Sequence, residues 1–467
     1  MTRSMQISLR TSASQRLLPL IALVFLSRFL FIIAIWMVNP SSGFIDSDTP
    51  TYIIPAQSLL HGSFSSVTGK PEIARTPGYP LLLLPAVGFH HWMSITLFEN
   101  LLLAMASAWL IWQITTDLFP GSKAAWWAVV LYCFEPVGFL YSAIVLTETL
   151  FCAQLLLFAW LVIRFLREPI YSRLLLAALA LGWATYTRPV TLYLGFSLIL
   201  VLLLVPASLS FWQRLPRALL FPLVFALTLA PWIIRNAAVA GYPGFSPVGD
   251  QTLYFYSAAA VKAKLEHRSF ADEQRELGWR DMNKYFQMHP EQLSWSQAQI
   301  YRFMRTDAQR TISNHLGLYA LIHARSSAVL MFAPNVTEIL KAVRLYPEAG
   351  GLMGRTIDQG IVPAALWLAS HYPIAVLALF LLGAQLLLYY VLSLIGFFYS
   401  PTSIKIFFGF VVLYLIFVSG TPSTVARYRS PIMPFVCITA GAAIAHLRSA
   451  RKSPSGDRNL IEPSPSN

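Results

Sequence analysis

The chain is poor in charge and poorer in acid. Only 12% of its 467 residues are charged, against about 25% in soluble globular chains. Asp and Glu number 21 against 34 Lys and Arg. Cysteine is nearly absent. Cys133, Cys152 and Cys437 all lie within apolar runs, which excludes a disulfide framework or a thiolate metal set and reads as three small buried hydrophobes. No Gly-rich phosphate loop of the P-loop or dinucleotide kind occurs, which argues against nucleotide use at a soluble domain. No Cys/His zinc spacing occurs either, and the adjacent His90 and His91 point different ways on a helix and read as interfacial. What is abundant is apolar: 56% hydrophobic residues, 14% aromatic. That excludes disorder and makes lipid the main solvent.

A span needs roughly 20 apolar residues. Ten are read: 17–38, 94–117, 124–144, 147–165, 174–187, 190–206, 218–239, 372–396, 406–420 and 431–447. The run 17–38 is too long for a signal-peptide core and no small-residue cleavage site follows it. The stretch 313–333 carries His315, His323 and Arg325 and is read as an interfacial helix. The expected fold is therefore an all-α polytopic membrane protein of about ten transmembrane helices, with surface helices in its outer loops. The expected organisation is a membrane core over 1–240 that includes the first outer loop 39–93. A large outer segment (241–371), C-terminal spans (372–447) and a Pro/Ser-rich disordered tail (448–467) follow.

With the N-terminus inside, the inner segments collect Arg3, Arg10, Arg16, Lys123, Arg164, Arg167, Arg173, Arg214, Arg217, Lys405, Arg448, Arg451, Lys452 and Arg458. This positive-inside pattern predicts both termini in the cytoplasm of a plasma (inner) membrane. It also accounts for much of the net charge of +13, so no nucleic-acid partner is expected. Opposite charges three and four apart over 262–310 predict a solvated helical segment.

A second set of charges clusters where the rule does not put them: Asp46, Asp48, Glu72, Arg75, Glu148, Arg188, Arg235, Arg427 and Arg429. All fall in the first outer loop or at outer span ends. Charge near lipid is costly, so several on one face imply a shared polar cavity rather than snorkelling alone. Cations beside Pro breaks suit an anion such as phosphate. Pro50 suits the start and Gly62 the end of a helix over 50–60, which would leave Asp48 near an N-cap. Asp46 and Asp48 are also candidates for a hard divalent cation, Mg²⁺ or Mn²⁺. Within the spans, Arg28 is expected to pair with Glu99 or Glu135.

The first loop reads "DTPTYIIPAQSLLHGSFS" and then "PEIARTPGYPLLLL". In this it resembles the GT-C superfamily of polytopic glycosyltransferases, and within it the bacterial relatives of protein O-mannosyltransferases and lipid A aminoarabinose transferases. On that pattern Asp48 takes the place of the essential aspartate, followed by Tyr52, and Tyr79 lies in the Arg-x-Pro-Gly-Tyr-Pro motif. "TETLF" is similar around Glu148, and "TRP", "PWIIRN" and "RYRSPIMPF" around Arg188, Arg235, Arg427 and Arg429. The resemblance covers 1–240 and 420–445; over 240–371 it is one of position and length.

The resemblance implies an inverting transfer of a sugar from a polyprenyl-phosphate donor to a hydroxyl on a glycan, lipid or protein acceptor at the outer face. Asp48 would be the base. Arg75, Arg188, Arg235 and Arg427 or Arg429 would hold the lipid phosphate, and Glu148 would orient a substrate or support a metal. A flippase for lipid-linked sugars would also need basic groups facing a cavity, but no internal repeat is visible and the charges lie at one surface rather than the midplane. A polymerase of lipid-linked oligosaccharides would likewise carry Arg-rich outer loops. An inactive relative acting as a partner protein would have no use for Asp48 and Glu148.

Overall fold

The computed structural model describes residues 3–89, 91–205, 209–347 and 360–450. His90 and the tail from 451 lie outside the described residues, as do 348–359 of the large outer segment. Among the described residues the architecture is helical, with one isolated β-bridge between Ser65 and Pro71.

The expectation of about ten spans is overturned. Among the described residues six helices are long and apolar enough to cross a membrane: Leu17–Val38, Trp92–Leu118, Glu148–Arg167, Phe211–Ala240, Pro373–Tyr399 and Thr402–Ser419. A seventh forms if Leu316–Phe332 and Val336–Ala342, bent by 51° at their junction, are one span. That pair includes the stretch expected to lie in the interface.

The four remaining readings fail for local reasons. The run 124–144 breaks because Glu135 turns extended and caps the next helix, accepting from the Val137 and Gly138 amides at 3.1 and 2.6 Å. This leaves Ala124–Cys133, only 10 residues long. Pro189 ends the helix before it and starts a 3-10 turn, so Tyr171–Thr187 stops at 17 residues and Pro189–Leu204 is shorter. Met433–Ala450 carries His446 and Arg448 in its last turns and is not among the six. Ala124–Cys133 is mostly buried against its neighbours, whereas Tyr171–Thr187 and Pro189–Leu204 keep apolar side chains such as Trp183, Tyr193 and Leu204 exposed.

The bundle is close-packed at small residues. Met433–Ala450 lies between Pro373–Tyr399 and Ala124–Cys133. At one crossing, a β-carbon on Gly396 would overlap the Thr439 carbonyl, so only glycine fits there. The three cysteines are buried and free, as expected.

The expected ion pair of Arg28 does not form. Arg28 is fully buried, donates to the Tyr132 carbonyl at 3.3 Å, and lies over the Tyr132 and Phe139 rings at 4.8 and 5.7 Å. Glu135 is occupied as a cap, so a carbonyl and two ring faces take the place of a carboxylate. A Glu99 carboxylate oxygen has no hydrogen-bond partner.

The charged stretch 262–310 folds as short helices, among them Ala259–Leu265, Phe270–Glu276 and Met282–Met288, ahead of Gln297–Asn314. They enclose their own apolar cluster around Tyr254, Phe255, Tyr285 and Met304.

Candidate functional site

The first loop folds as its sequence predicts. The helix runs Pro50–Leu60 with Pro50 in its first turn, and Gly62 takes φ +73° just beyond its end. The cap position falls to Thr49, whose hydroxyl instead accepts from the Asp46 amide and donates to the Val145 carbonyl. Asp46 accepts from the Asp48 amide at 3.0 Å. This local turn frees the Asp48 carboxylate from capping and aims it at cations.

Two arginines take one Asp48 oxygen each. Arg75 Nη2 donates to Oδ1 at 2.8 Å and Arg427 Nη2 donates to Oδ2 at 2.6 Å. Burial pushes the Asp48 carboxyl up, but the two guanidiniums outweigh it and hold it below the usual carboxylate range. Arg75 is fixed from several sides. Its Nε donates to Thr51 Oγ1 at 2.9 Å, its Nη1 to the Tyr52 hydroxyl at 3.2 Å, and its guanidinium lies 4.7 Å from the Tyr52 ring centre. The Glu72 carboxylate accepts from the Ala74 and Arg75 amides, so the turn carrying Arg75 is itself capped. Burial raises the Glu72 carboxyl above its ordinary range.

Tyr52 meets Tyr79 edge-on at 5.3 Å, and Tyr79 is wholly buried behind it. A β-carbon on the neighbouring Gly78 would lie 2.6 Å from the Tyr186 carbonyl, so glycine lets this loop abut the end of Tyr171–Thr187.

That helix end delivers Arg188, and the start of Glu148–Arg167 delivers Glu148. The two pair at 2.6 Å, with Glu148 only 1% exposed. Arg188 also lies 5.2 Å from the Tyr428 ring centre. Arg427 joins the halves of the site. It reaches Asp48 at 2.6 Å, Asp46 at 3.3 Å and, through Nε, Glu148 at 3.6 Å. That last distance is an ion pair without a hydrogen bond, and the buried Nε has no hydrogen-bond partner.

The structure thus brings together Asp46, Asp48, Tyr52, Arg75, Glu148, Arg188 and Arg427, with Tyr79 behind Tyr52. Three guanidiniums face three carboxylates in one half-buried cluster. Two of the expected residues lie apart. Arg235 donates to the Glu72 and Phe64 carbonyls and to Asn236 Oδ1, and its guanidinium lies 4.7 Å from the Trp232 ring centre. It ties the first loop to Phe211–Ala240. Arg429, 1% exposed, donates to the carbonyls of Leu330, Met331 and Ala333 at 3.0, 2.9 and 2.8 Å. It caps the C-terminal end of Leu316–Phe332.

Sequence reasoning missed Thr51 and Tyr428. Their positions one residue from Tyr52 and between Arg427 and Arg429 were the only signal. It also missed Tyr256 on the π-helical segment Leu253–Ala258, whose phenol is pushed up to about 12, by burial first and then by Tyr428.

A divalent cation fits this donor set poorly. Among the described residues no three acidic, His or Cys side chains converge as metal ligands. Both oxygens of Asp48 and one of Asp46 already face guanidinium groups.

Residues 83–234 match the family described as dolichyl-phosphate-mannose-protein mannosyltransferase. The match spans Glu148 and Arg188 and stops short of Asp48, Arg75 and Arg427. No curated protein matches the chain. Among solved structures, ArnT from Cupriavidus metallidurans, crystallised with undecaprenyl phosphate, is 11% identical over 91% of this chain and 59% of its own, with a TM-score of 0.47. The archaeal oligosaccharyltransferase AglB from Archaeoglobus fulgidus, in complex with an inhibitory peptide and a dolichol-phosphate, is 15% identical over 96% of this chain and 52% of its own, with a TM-score of 0.49. The chain spans between half and three-fifths of the length of these two structures. It is a polytopic helical membrane protein, similar over residues 83–234 to that mannosyltransferase family.

Proposed function

We propose that the chain is an inverting membrane glycosyltransferase that moves a sugar from a polyprenyl phosphate to an acceptor hydroxyl. The observation that carries this reading is Asp48 held between Arg75 and Arg427, with Glu148 and Arg188 completing the cluster. The mannosyltransferase match over 83–234 supports it independently of Asp48 and Arg75.

Each residue then has a step. The acceptor oxygen bonds to the anomeric carbon as the anomeric carbon–phosphate oxygen bond breaks. The acceptor proton passes to Asp48, which later returns it to solvent. The departing lipid phosphate gains a second negative charge, which Arg427, with Arg75 and Arg188, stabilises in place. Tyr52 keeps Arg75 in register.

The charges balance before any donor arrives, so the phosphate must compete with carboxylates for the guanidiniums. As Arg427 turns from Asp48 to the phosphate, the carboxylate loses the partner that held its proton affinity down. Donor binding therefore makes Asp48 a better base.

The outer-face placement draws support from Glu148–Arg167. Glu148 opens this helix, while Arg164 and Arg167 close it and both pair with Asp117. Twenty residues at 1.5 Å each put the cluster roughly 30 Å from those basic residues, about one membrane core away. By the positive-inside rule the basic end is cytoplasmic.

The test is transfer in proteoliposomes. Wild type, given polyprenyl-phosphate sugars and a glycolipid extract, should form product, and D48N at the same protein level should not. Equal product from both would remove Asp48 as the base. Labelled carrier lipid crossing the bilayer with no product would replace the transferase by a transporter.

A further inference from the structure

We propose that the outer segment carries an anion-binding cleft that holds a phosphate or carboxylate group of the acceptor, directly behind the turn bearing Arg75. This rests on the transferase reading and assigns a second site to it. Tyr242, Pro243, Gly244, Ala298, Arg302 and Arg305 line a cleft of about 90 Å³. That is below the roughly 300–1,000 Å³ of whole small-ligand pockets, so the cleft takes an anionic group rather than an entire sugar.

Its two arginines stand three residues apart on Gln297–Asn314, hence on one face. They are not equivalent. Arg305 is locked by the buried Asp250, Nε to Oδ1 at 2.7 Å and Nη2 to Oδ2 at 2.9 Å, with Tyr242 bonded to both partners. Arg302 is exposed and has no side-chain partner among the described residues. Two cations against one carboxylate leave one positive charge at the cleft mouth. A free guanidinium offers only donors, in a planar fork that matches a carboxylate or phosphate. A neutral sugar would leave that charge unanswered. The Tyr242 ring, buried and edge-on to Tyr301 at 6.0 Å, closes the apolar side of the cleft.

The cleft is also tied to the site already described. Tyr242 and Ala298 share an apolar cluster with Ile73, and Ser246 Oγ donates to the Ala74 carbonyl at 2.7 Å. Ile73 and Ala74 belong to the turn that Glu72 caps and that presents Arg75 to Asp48. One turn therefore packs behind Tyr242 and Ala298 of the cleft on one side and positions the cluster on the other. An acceptor held at Arg302 would approach Asp48 over this turn.

The test measures binding without chemistry. Full-length protein in a neutral detergent is unfolded thermally with glucose 6-phosphate, glucuronate, glucose or dihexanoyl-phosphatidylglycerol, at matched ionic strength. Glucose 6-phosphate or glucuronate should raise the midpoint and glucose should not. R302Q should raise the half-maximal concentration at least tenfold, and D48N should leave it within twofold. The proposal fails if neither sugar anion shifts the midpoint, if glucose does so equally, if R302Q keeps the response, or if only the phospholipid acts. Because D48N is a binding control here, loss of its transfer activity and loss of this cleft are separate results.

Discussion

Replacing Asp48 by Asn should separate donor binding from chemistry. The amide oxygen can accept from either Arg75 or Arg427, but the amide nitrogen must then face the other guanidinium, now 2.6–2.8 Å from a carboxylate oxygen. One guanidinium loses its contact with residue 48 and keeps only its other partners. The pair is half-buried, with Asp48 25% and Arg427 14% exposed, so screening limits its worth to about 1 kcal/mol. A lipid phosphate then no longer competes with Asp48 for Arg427, and polyprenyl phosphate should bind D48N about fivefold more tightly. Turnover should move the other way. Loss of a general base costs about 10²–10⁴-fold, equivalent to roughly 3–5 kcal/mol in the barrier. Equilibrium binding of fluorescent polyprenyl phosphate to detergent-solubilised protein gives the first quantity, and single-turnover transfer gives the second. The reasoning is refuted if D48N loses donor binding and turnover in parallel. That pattern would make Asp48 part of the phosphate site rather than its competitor.

Three further outcomes follow from the same contacts. E148Q strips the charge from a side chain 1% exposed and leaves Arg188 without its ion pair, so the fold should lose about 3 kcal/mol, read from unfolding midpoints. An unchanged midpoint would mean the pair is solvated in the protein. R429Q should speed amide hydrogen exchange around Leu330–Asn335 by at least tenfold, because the helix end loses its donor to three carbonyls. For pH, the folded Asp48 carboxyl is held below its unfolded value, so its contribution is complete above about pH 4 and is lost as pH falls through the depressed value. The midpoint gap between wild type and D48N should be flat from pH 5 to 8 and close in stronger acid; a gap that widens there would invert the sign of the shift.

The first loop was readable because its signals are local. Pro50, Gly62 and the Asp46–Asp48 spacing define a helix and a turn within a few residues, and the helix bounds match. The clustering of Asp48, Arg75, Glu148, Arg188 and Arg427 was readable from cost, since charge at a span end calls for partners. The partners of Arg235 and Arg429 were not readable. A guanidinium that meets backbone carbonyls and one that meets carboxylates look alike in sequence, because the carbonyls arrive from elements far along the chain, as Phe64 does for Arg235. The span count failed for a related reason. Hydropathy sums a window and cannot see Glu135 capping a helix inside an apolar run, or Pro189 cutting one. Tyr256 depended on a π-helical segment that no local pattern announces.

The short turn Ala426–Arg429 is anchored at two ends. Arg427 grips the carboxylates of the first loop, and Arg429, two residues on, grips the end of Leu316–Phe332 where that helix bends by 51° into Val336–Ala342. A turn of four residues has little slack. Any tilt of the bent helix, such as one admitting a long lipid tail between neighbours, would pull on Arg429 and drag Arg427 with it. Movement of that helix and the ion pairing of Asp48 would then be mechanically geared, through a linkage that never touches the first loop's own backbone.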